Sequence, residues 1–417
     1  MKRQRWSWAL YDWANSAFAT TVMAGFFPVF FKNYWASDLI VTESTFWLGT
    51  ANSFATVLII FLSPFIGIWS DRVGMKKRLL FAFAALGITM TGSLFLVQQG
   101  FWPLALLLYI FAIIGFSSAN VSYDAFFPLI IGDRSPENVS SLGYALGYLG
   151  GAILFSINIW MVIRPQDFGL SNNVQALKWS FLSVAIWWAI FSIPILVFVK
   201  EKSVKKAKIG ETSWGKIIST WRELKALPMA FLFLISYWFY MDGVDTIIRM
   251  AVDYGLALGF ETKSLMLALL ITQLVGFPSA LIFGFIGTSF GPKLGIWMAI
   301  SIYVIVIFWA YKMETSGEFY ILACLIGFIQ GGIQALSRSL YIRLIPKEKI
   351  GGFFGLYNMI GRFAALLGPI MVGWIGVISG NPRSGILSIL LLFAVAAFFF
   401  YKVDVKKGEK QAIEINS

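Results

Sequence analysis

Arg362 stands in a stretch of about two dozen mostly apolar residues, 352–375, roughly 15 Å along any helix formed there at 1.5 Å of rise per residue. A guanidinium at that depth in an apolar medium is costly unless it faces a polar cavity, so its position predicts a binding site for a negatively charged group. Asn358 precedes it by four residues and shares its helical face. Gln273 and Gln330 fall at similar depth in two other apolar runs. With Asn358 they form the set of amides expected to shape a site around a carboxylate held by Arg362.

A second group of charges lies closer to the edges of such runs. Asp242, Asp245 and Arg249 follow at i, i+3 and i+7 and therefore share one helical face. Asp245 is one turn from Arg249, a spacing that predicts an ion pair serving as an outer gate, with direct contact to substrate as the alternative. Asp242 has no local partner as close, which makes it the candidate titrating or ammonium-binding carboxylate. Asp12, Asp124 and Arg338 fall near the ends of three further runs, where a charge reaches the interface at low cost.

The same inventory excludes catalytic chemistry. The chain has no histidine and one cysteine, Cys324, so imidazole and thiolate metal sites, a His proton relay and Ser-His or Cys-His pairs are all ruled out. No glycine-rich nucleotide loop occurs, and the chain is read as neither an enzyme nor a holder of a cofactor or metal.

What must position these residues follows from composition. The chain of 417 residues is 58% hydrophobic and 13% charged, a balance suited to lipid. Apolar runs of helix length predict twelve membrane spans, at about 8–32, 46–70, 79–97, 101–127, 140–163, 179–199, 229–255, 264–286, 294–311, 319–342, 352–376 and 385–401. These runs are too long for the strands of a membrane barrel and do not alternate. The fold expected is an all-α membrane protein of two six-helix bundles: 1–199, a linker at 200–228, 229–401, and a tail at 402–417. Gly143, Gly147 and Gly151 recur every four residues and read as a helix-packing seam, while Trp6, Trp8, Trp35, Trp102 and Trp179 read as interfacial anchors.

With Met1 on the cytoplasmic side, 24 of the 33 Lys and Arg residues fall on that side, six on the other and three within spans. Such a bias predicts cytoplasmic termini. The formal charge of +12 is then a topology signal, not a sign of nucleic-acid binding. Lys200, Lys202, Lys205, Lys206 and Lys208 mark the linker as a solvated connection, and 214–224 could form an amphipathic helix on the membrane surface.

The halves carry traces of a repeat: GIWSDRVGMK at 67–76 aligns without gaps to GFIGTSFGPK at 284–293, and Pro128 and Pro346 each end a fourth span. Parallel repeats of this kind place a substrate between two halves that rock against each other. The segment GIWSDRVGMKKR, 67–78, resembles the signature loop of the major facilitator superfamily. Gly67 and Gly74 would allow close helix contact and a tight turn, Asp71 would bond across the bundle, and Arg72 and Lys76 join the gating set that the resemblance implies, in which Asp12, Asp124 and Arg338 would latch the inner gate. The strings WALYDWANSAF (8–18), SYDAFFP (122–128), GYALGYLGG (143–151), DGVDTIIRMA (242–251) and GGIQALSRS (331–339) resemble the vacuolar amino-acid effluxer family, the autophagy-related branch with bacterial members. That resemblance implies a twelve-helix secondary transporter, with amino-acid export in the yeast member.

The expected function is alternating-access transport of a small carboxylate-bearing solute, such as an amino acid, by a monomer in a bacterial cytoplasmic membrane, with a coupling proton or cation as a further partner. A lipid-like or larger anionic substrate fits the same residues, as does a sensor or assembly factor that keeps the fold without transport. The orientation carries its own test. A cysteine placed in the 200–227 linker of a cysteine-free variant should be shielded from an impermeant thiol reagent in intact cells, and labelling from outside would overturn the topology.

Overall fold

The structure, a computed structural model, describes residues 1–70, 75–201, 213–346, 350–364 and 366–414. Asp71, Arg72 and Gly74 of the signature loop lie outside the described residues, as do Lys202, Lys205, Lys206 and Lys208 of the linker. Among the described residues every regular element is helical. Twelve helical segments are long and apolar enough to cross a bilayer: Lys2–Trp35, Phe46–Ser70, Met75–Leu96, Trp102–Asp124, Pro136–Ile163, Asn173–Phe198, Pro228–Ala251, Lys263–Phe290, Pro292–Lys312, Ser316–Arg343, Ile350–Gly376 and Arg383–Tyr401. They are numbered here as spans one to twelve. Two shorter helices, Ser213–Ala226 and Val405–Glu414, precede span seven and follow span twelve.

Spans one and eleven depart furthest from regular α-helix, beside a tightened end at Leu94–Leu96 in span three and a turn at Ser388 in span twelve. In span one the chain widens to i→i+5 bonding over Phe18–Phe26 and again over Phe31–Trp35, so that the Phe27 amide reaches Val22 O. Such widened turns are rare and recur at functional sites. Span eleven is broken: one helix covers Ile350–Phe363 and another Leu367–Ser379. Hydropathy alone reads both spans as single runs, because widening and breaking a helix leave the apolar content unchanged.

Lysine side chains finish corresponding helices in the two halves. Lys77 Nζ donates to Leu196 O near the end of span six at 2.7 Å, and Lys293 Nζ donates to Val403 O at 2.5 Å and Tyr401 O at 3.3 Å, at the end of span twelve. A cation there meets carbonyls that have no partner within their own helix. Lys76 Nζ donates to Ser70 O at 2.7 Å.

Both chain ends lie on one face, here the terminal face. Met1 and Ile413 line the same crevice there, and Arg5 bonds Asp133 between spans four and five. Hydrogen bonding to its own backbone amide and the Arg5 guanidinium hold the Asp133 carboxyl below the usual carboxylate range.

The halves, spans one to six and seven to twelve, meet through span five against spans eight and ten, and through the first helix of span eleven against spans two and four. The second helix of span eleven packs mainly within its own half. The closest approach is between backbones: a Cβ on Gly67 would lie 2.4 Å from Gly351 O and 2.8 Å from Gly355 Cα. Only glycine permits that contact. The polar contacts between halves follow the same bias. Thr288 meets Ser135 and Asn138 at 3.1 Å each, so the second copy of the signature loop seals with a hydroxyl where the first has Asp and Arg. Arg343 Nη2 pairs with the buried Glu137 at 2.8 Å, and Arg343 Nη1 reaches Glu409 of the C-terminal helix at 3.2 Å. Among the described residues no hydrogen bond or ion pair joins the halves near the opposite face.

A branched side chain at Gly67 would force spans two and eleven apart. Gly67→Val should lower the melting temperature and raise the thiol reactivity of a Ser339→Cys reporter, buried beneath the seal, by about tenfold. Unchanged reactivity would mean that this contact does not hold the face shut.

A candidate substrate chamber between the halves

Behind the sealed face lies a cavity of about 310 Å³ lined by both halves. From the N-terminal half come Asp12, Asn15, Ser16, Ala19 and Thr20 of span one, Asn120, Tyr123 and Asp124 of span four, and Tyr144 and Tyr148 of span five. The C-terminal half contributes Tyr237 and Asp245 of span seven, Gln273 of span eight, Gln330, Gln334 and Arg338 of span ten, and Tyr357, Asn358 and Arg362 of span eleven, among others. Ala19 and Thr20 sit in the first widened turn of span one. Span one can approach span five so closely because the glycine seam leaves room: a Cβ on Gly147 would meet Ser16 Oγ at 2.6 Å, and one on Gly151 would meet Thr20 Oγ1 at 2.9 Å.

Arg338 forms the floor and is 2% exposed. It projects from span ten into a socket built wholly by the other half. Its Nε donates to Ser140 Oγ at 2.9 Å, Nη2 to Ser140 O at 3.1 Å, and Nη1 to Asp124 Oδ1 at 3.2 Å. Trp8, Phe127 and Tyr144 surround the guanidinium with ring centroids at 4.9, 5.1 and 4.5 Å, and Tyr123 lies at 5.8 Å. The rings favour the cation electrostatically and exclude water from the ion pair. Asp12 accepts a 2.6 Å hydrogen bond from the Tyr123 hydroxyl, and Asn358 donates to Asp124 Oδ2 at 3.0 Å.

Arg362 is arranged differently. It is half-buried, lines the chamber, and has no hydrogen-bond or ion-pair partner among the described residues. Asp245 is also half-buried at the chamber wall and equally without one. Among the described residues the chamber thus presents Arg362 and Asp245 without such partners, above a floor where Arg338 pairs with Asp124 and Asp12 is held by the Tyr123 hydroxyl.

Several sequence expectations meet a different geometry. The Asp245–Arg249 ion pair is absent: Arg249 is exposed, Asp245 turns into the chamber, and no guanidinium nitrogen of Arg249 comes within 4.0 Å of the Asp245 carboxylate. Asp242 is fully buried outside the chamber lining, where its carboxylate accepts the amide hydrogens of Leu367 and Gly368 at 3.2 and 2.9 Å. The spacing placed both carboxylates on one face, but the helix break in span eleven engages one of them and leaves the other free. Gln273, Gln330, Asn358 and Arg362 do converge on one cavity, as do Asp12, Asp124 and Arg338. Gly67 and Lys76 lie at the terminal face.

Tyr144, Tyr148, Tyr237, Tyr357, Asn15, Asn120 and Gln334 also line the cavity without having been singled out in the sequence. Gln334 follows Gln330 by four residues, and Tyr148 follows Tyr144 by the same step, so helical spacing was a usable signal. The tyrosines were hidden among aromatic residues that make up 17% of the chain.

Comparison with known proteins agrees with this architecture. Residues 36–413 match the family described as "Vacuole effluxer Atg22 like". The chain is 37% identical over 397 residues to the uncharacterized MFS-type transporter YxiO of Bacillus subtilis, covering 94% of this chain and 93% of that protein. It is 23% identical over 423 residues to autophagy-related protein 22 of Saccharomyces cerevisiae, covering 87% and 78%. Among solved structures, the human organic anion transporter TETRAN superposes with a TM-score of 0.69 at 13% identity, covering 96% of this chain and 99% of that one. The proton:xylose symporter XylE gives 0.69 at 14% identity, with 99% and 97% covered. FucP in its outward conformation gives 0.66 at 13%, with 97% and 98% covered. This protein therefore has the major facilitator fold and belongs to the Atg22-like family of transporters.

Proposed function

We propose that the chain is a secondary transporter that carries a small carboxylate-bearing solute, an amino acid or a related metabolite, through the chamber by alternating access. The observation that carries this reading is Arg362: a cation within an apolar span, facing a polar cavity, with no hydrogen-bond or ion-pair partner among the described residues. A carboxylate would accept two parallel hydrogen bonds from its guanidinium. Asn358, Gln330 and Gln273 shape the surrounding wall, and Asp245, in place of Asp242, faces the ammonium group or a coupling cation. An apolar cavity of about 80 Å³ also has Gln330 in its lining, beside Ile326 and Leu269, which favours a solute with an apolar portion. The name of the yeast relative's family, a vacuole effluxer, supports movement of solutes across a membrane.

The membrane we assign is the bacterial cytoplasmic membrane, supported by the bacterial relative and by the skew of Lys and Arg toward the terminal face. With the termini in the cytoplasm, the sealed face is the inner one and the chamber belongs to an outward-facing state. Opening inward requires Arg338 to leave its socket, along with the Glu137–Arg343 pair and the Gly67 contact.

The reading is tested by thermal shift of purified protein against the L-amino acids, since a ligand that binds only the folded state raises the melting temperature. Arg362→Lys keeps the charge but loses the planar fork, and should weaken the responding amino acid by about tenfold. Arg362→Gln should abolish the response while its own melting temperature stays near that of the wild type, because no hydrogen bond or ion pair among the described residues is lost. Wild-type affinity in a folded Arg362→Gln protein would remove this residue from the site. Loss of stability instead of affinity would show that it is a structural ion.

A further inference from the structure

Arg362 lies in the last turn of the helix Ile350–Phe363, immediately before the break in span eleven. Within the bilayer a broken helix exposes amides and carbonyls that water cannot reach, so a break persists only where something else satisfies them. Asp242 does so from span seven. Its Oδ1 accepts from the Gly368 amide at 2.9 Å and its Oδ2 from the Leu367 amide at 3.2 Å, the first two amides of the second helix. Thr246, one turn further along span seven, donates to Oδ1 at 3.4 Å and helps to hold the carboxylate.

The approach is close enough to demand a specific residue. A Cβ on Gly368 would lie 1.8 Å from Thr246 Oγ1 and 2.9 Å from Asp242 Oδ1. A carboxylate at a helix N-terminus is favoured by hydrogen bonding and by the helix dipole, while a cation in the last turn of the preceding helix is favoured by the opposite end of that helix's dipole. Asp242 and Arg362 are therefore complementary charges on the two sides of one break. Neither touches the other.

We propose that Asp242 is a positioning residue: by capping the second helix it fixes the break in span eleven, and the break holds Arg362 pointing into the chamber. An intact helix through 364–366 would carry the two segments on one axis and change the direction in which Arg362 projects. The proposal rests on the reading of Arg362 as the anion-binding group, but not on which solute is carried.

The test reads the electric potential of the chamber and needs no substrate. In a Cys324→Ala background, Ala19→Cys places a thiol on the chamber wall contributed by span one. The ratio of its reaction rates with an anionic and a cationic methanethiosulfonate reagent then reports the local charge. Arg362→Gln should lower the ratio by about threefold. Asp242→Ala should lower it to a similar extent, and the double variant should fall no further than Arg362→Gln alone. Asp242→Asn keeps one acceptor and should fall between. The sign is decisive: Asp242→Ala deletes a negative charge, so direct electrostatics alone would raise the ratio, and only displacement of Arg362 lowers it.

A ratio that rises or stays unchanged in a folded Asp242→Ala protein overturns the proposal, even if its melting temperature drops. If the alanine variant does not fold, the asparagine variant decides on the same criterion. If Arg362→Gln itself leaves the ratio unchanged, the reading of Arg362 as the chamber's cation has failed, an outcome distinct from failure of the positioning role.

Discussion

The structure depends on a charge that one half of the molecule lends to the other. Arg338 belongs to span ten, yet its hydrogen bonds, its counter-ion and the aromatic rings around it come from spans one, four and five. A guanidinium so deeply buried cannot stay there unpaired, since removing one member of a buried ion pair costs ~3–5 kcal/mol. Nor can it drift part of the way out, because an ion pair stretched within an apolar interface loses attraction before it regains water. Seated or released are the two arrangements that such an interface permits. A transporter needs that property of its gate, two stable positions with little population between them.

The contrast between Arg338 and Arg362 separates scaffold from site more clearly than depth in the membrane does. Both are arginines within spans, Arg338 buried and Arg362 half-buried, and by sequence Arg362 is the deeper. Arg338 has its charge neutralised by Asp124 and its donors directed at Ser140. Arg362 has no partner among the described residues and faces a cavity. Unsatisfied donors are tolerated only where a mobile partner, water or a solute, completes them. A short path joins the two: Asn358 lies one turn from Arg362 on the same helix and donates to Asp124, the counter-ion of Arg338. A group bound at Arg362 is therefore one residue removed from the ion pair that holds the face closed.

Much of this was legible in the chain because hydropathy and helical period report on it directly. The twelve spans, the depth of Arg362, its shared face with Asn358 and the repeated loop at 67–76 and 284–293 are local properties of sequence. What escaped is not local. Asp242 and Asp245 lie three residues apart on one helix face, and only the break in span eleven decides that the first caps a helix while the second lines the chamber. The Arg338 socket draws on residues from 8 to 144 in the chain, none of them adjacent to it in sequence. The C-terminal helix Val405–Glu414, reached by Arg343 through Glu409, lies within the segment 402–417 that hydropathy leaves only as a tail.

The central claim is that Arg338 in its socket keeps the terminal face closed and the chamber sealed on that side. Spin labels at Arg134→Cys and Lys402→Cys, exposed positions on that face in opposite halves, report the separation directly by pulsed electron paramagnetic resonance in a Cys324→Ala background. With Arg338 intact and no solute present, one short distance should dominate. Arg338→Gln should add a longer distance at the expense of the short one, as the halves part where the socket is empty. A distance distribution unchanged by the loss of Arg338 would contradict the account and leave the closure of this face to the Gly67 contact and the Glu137–Arg343 pair.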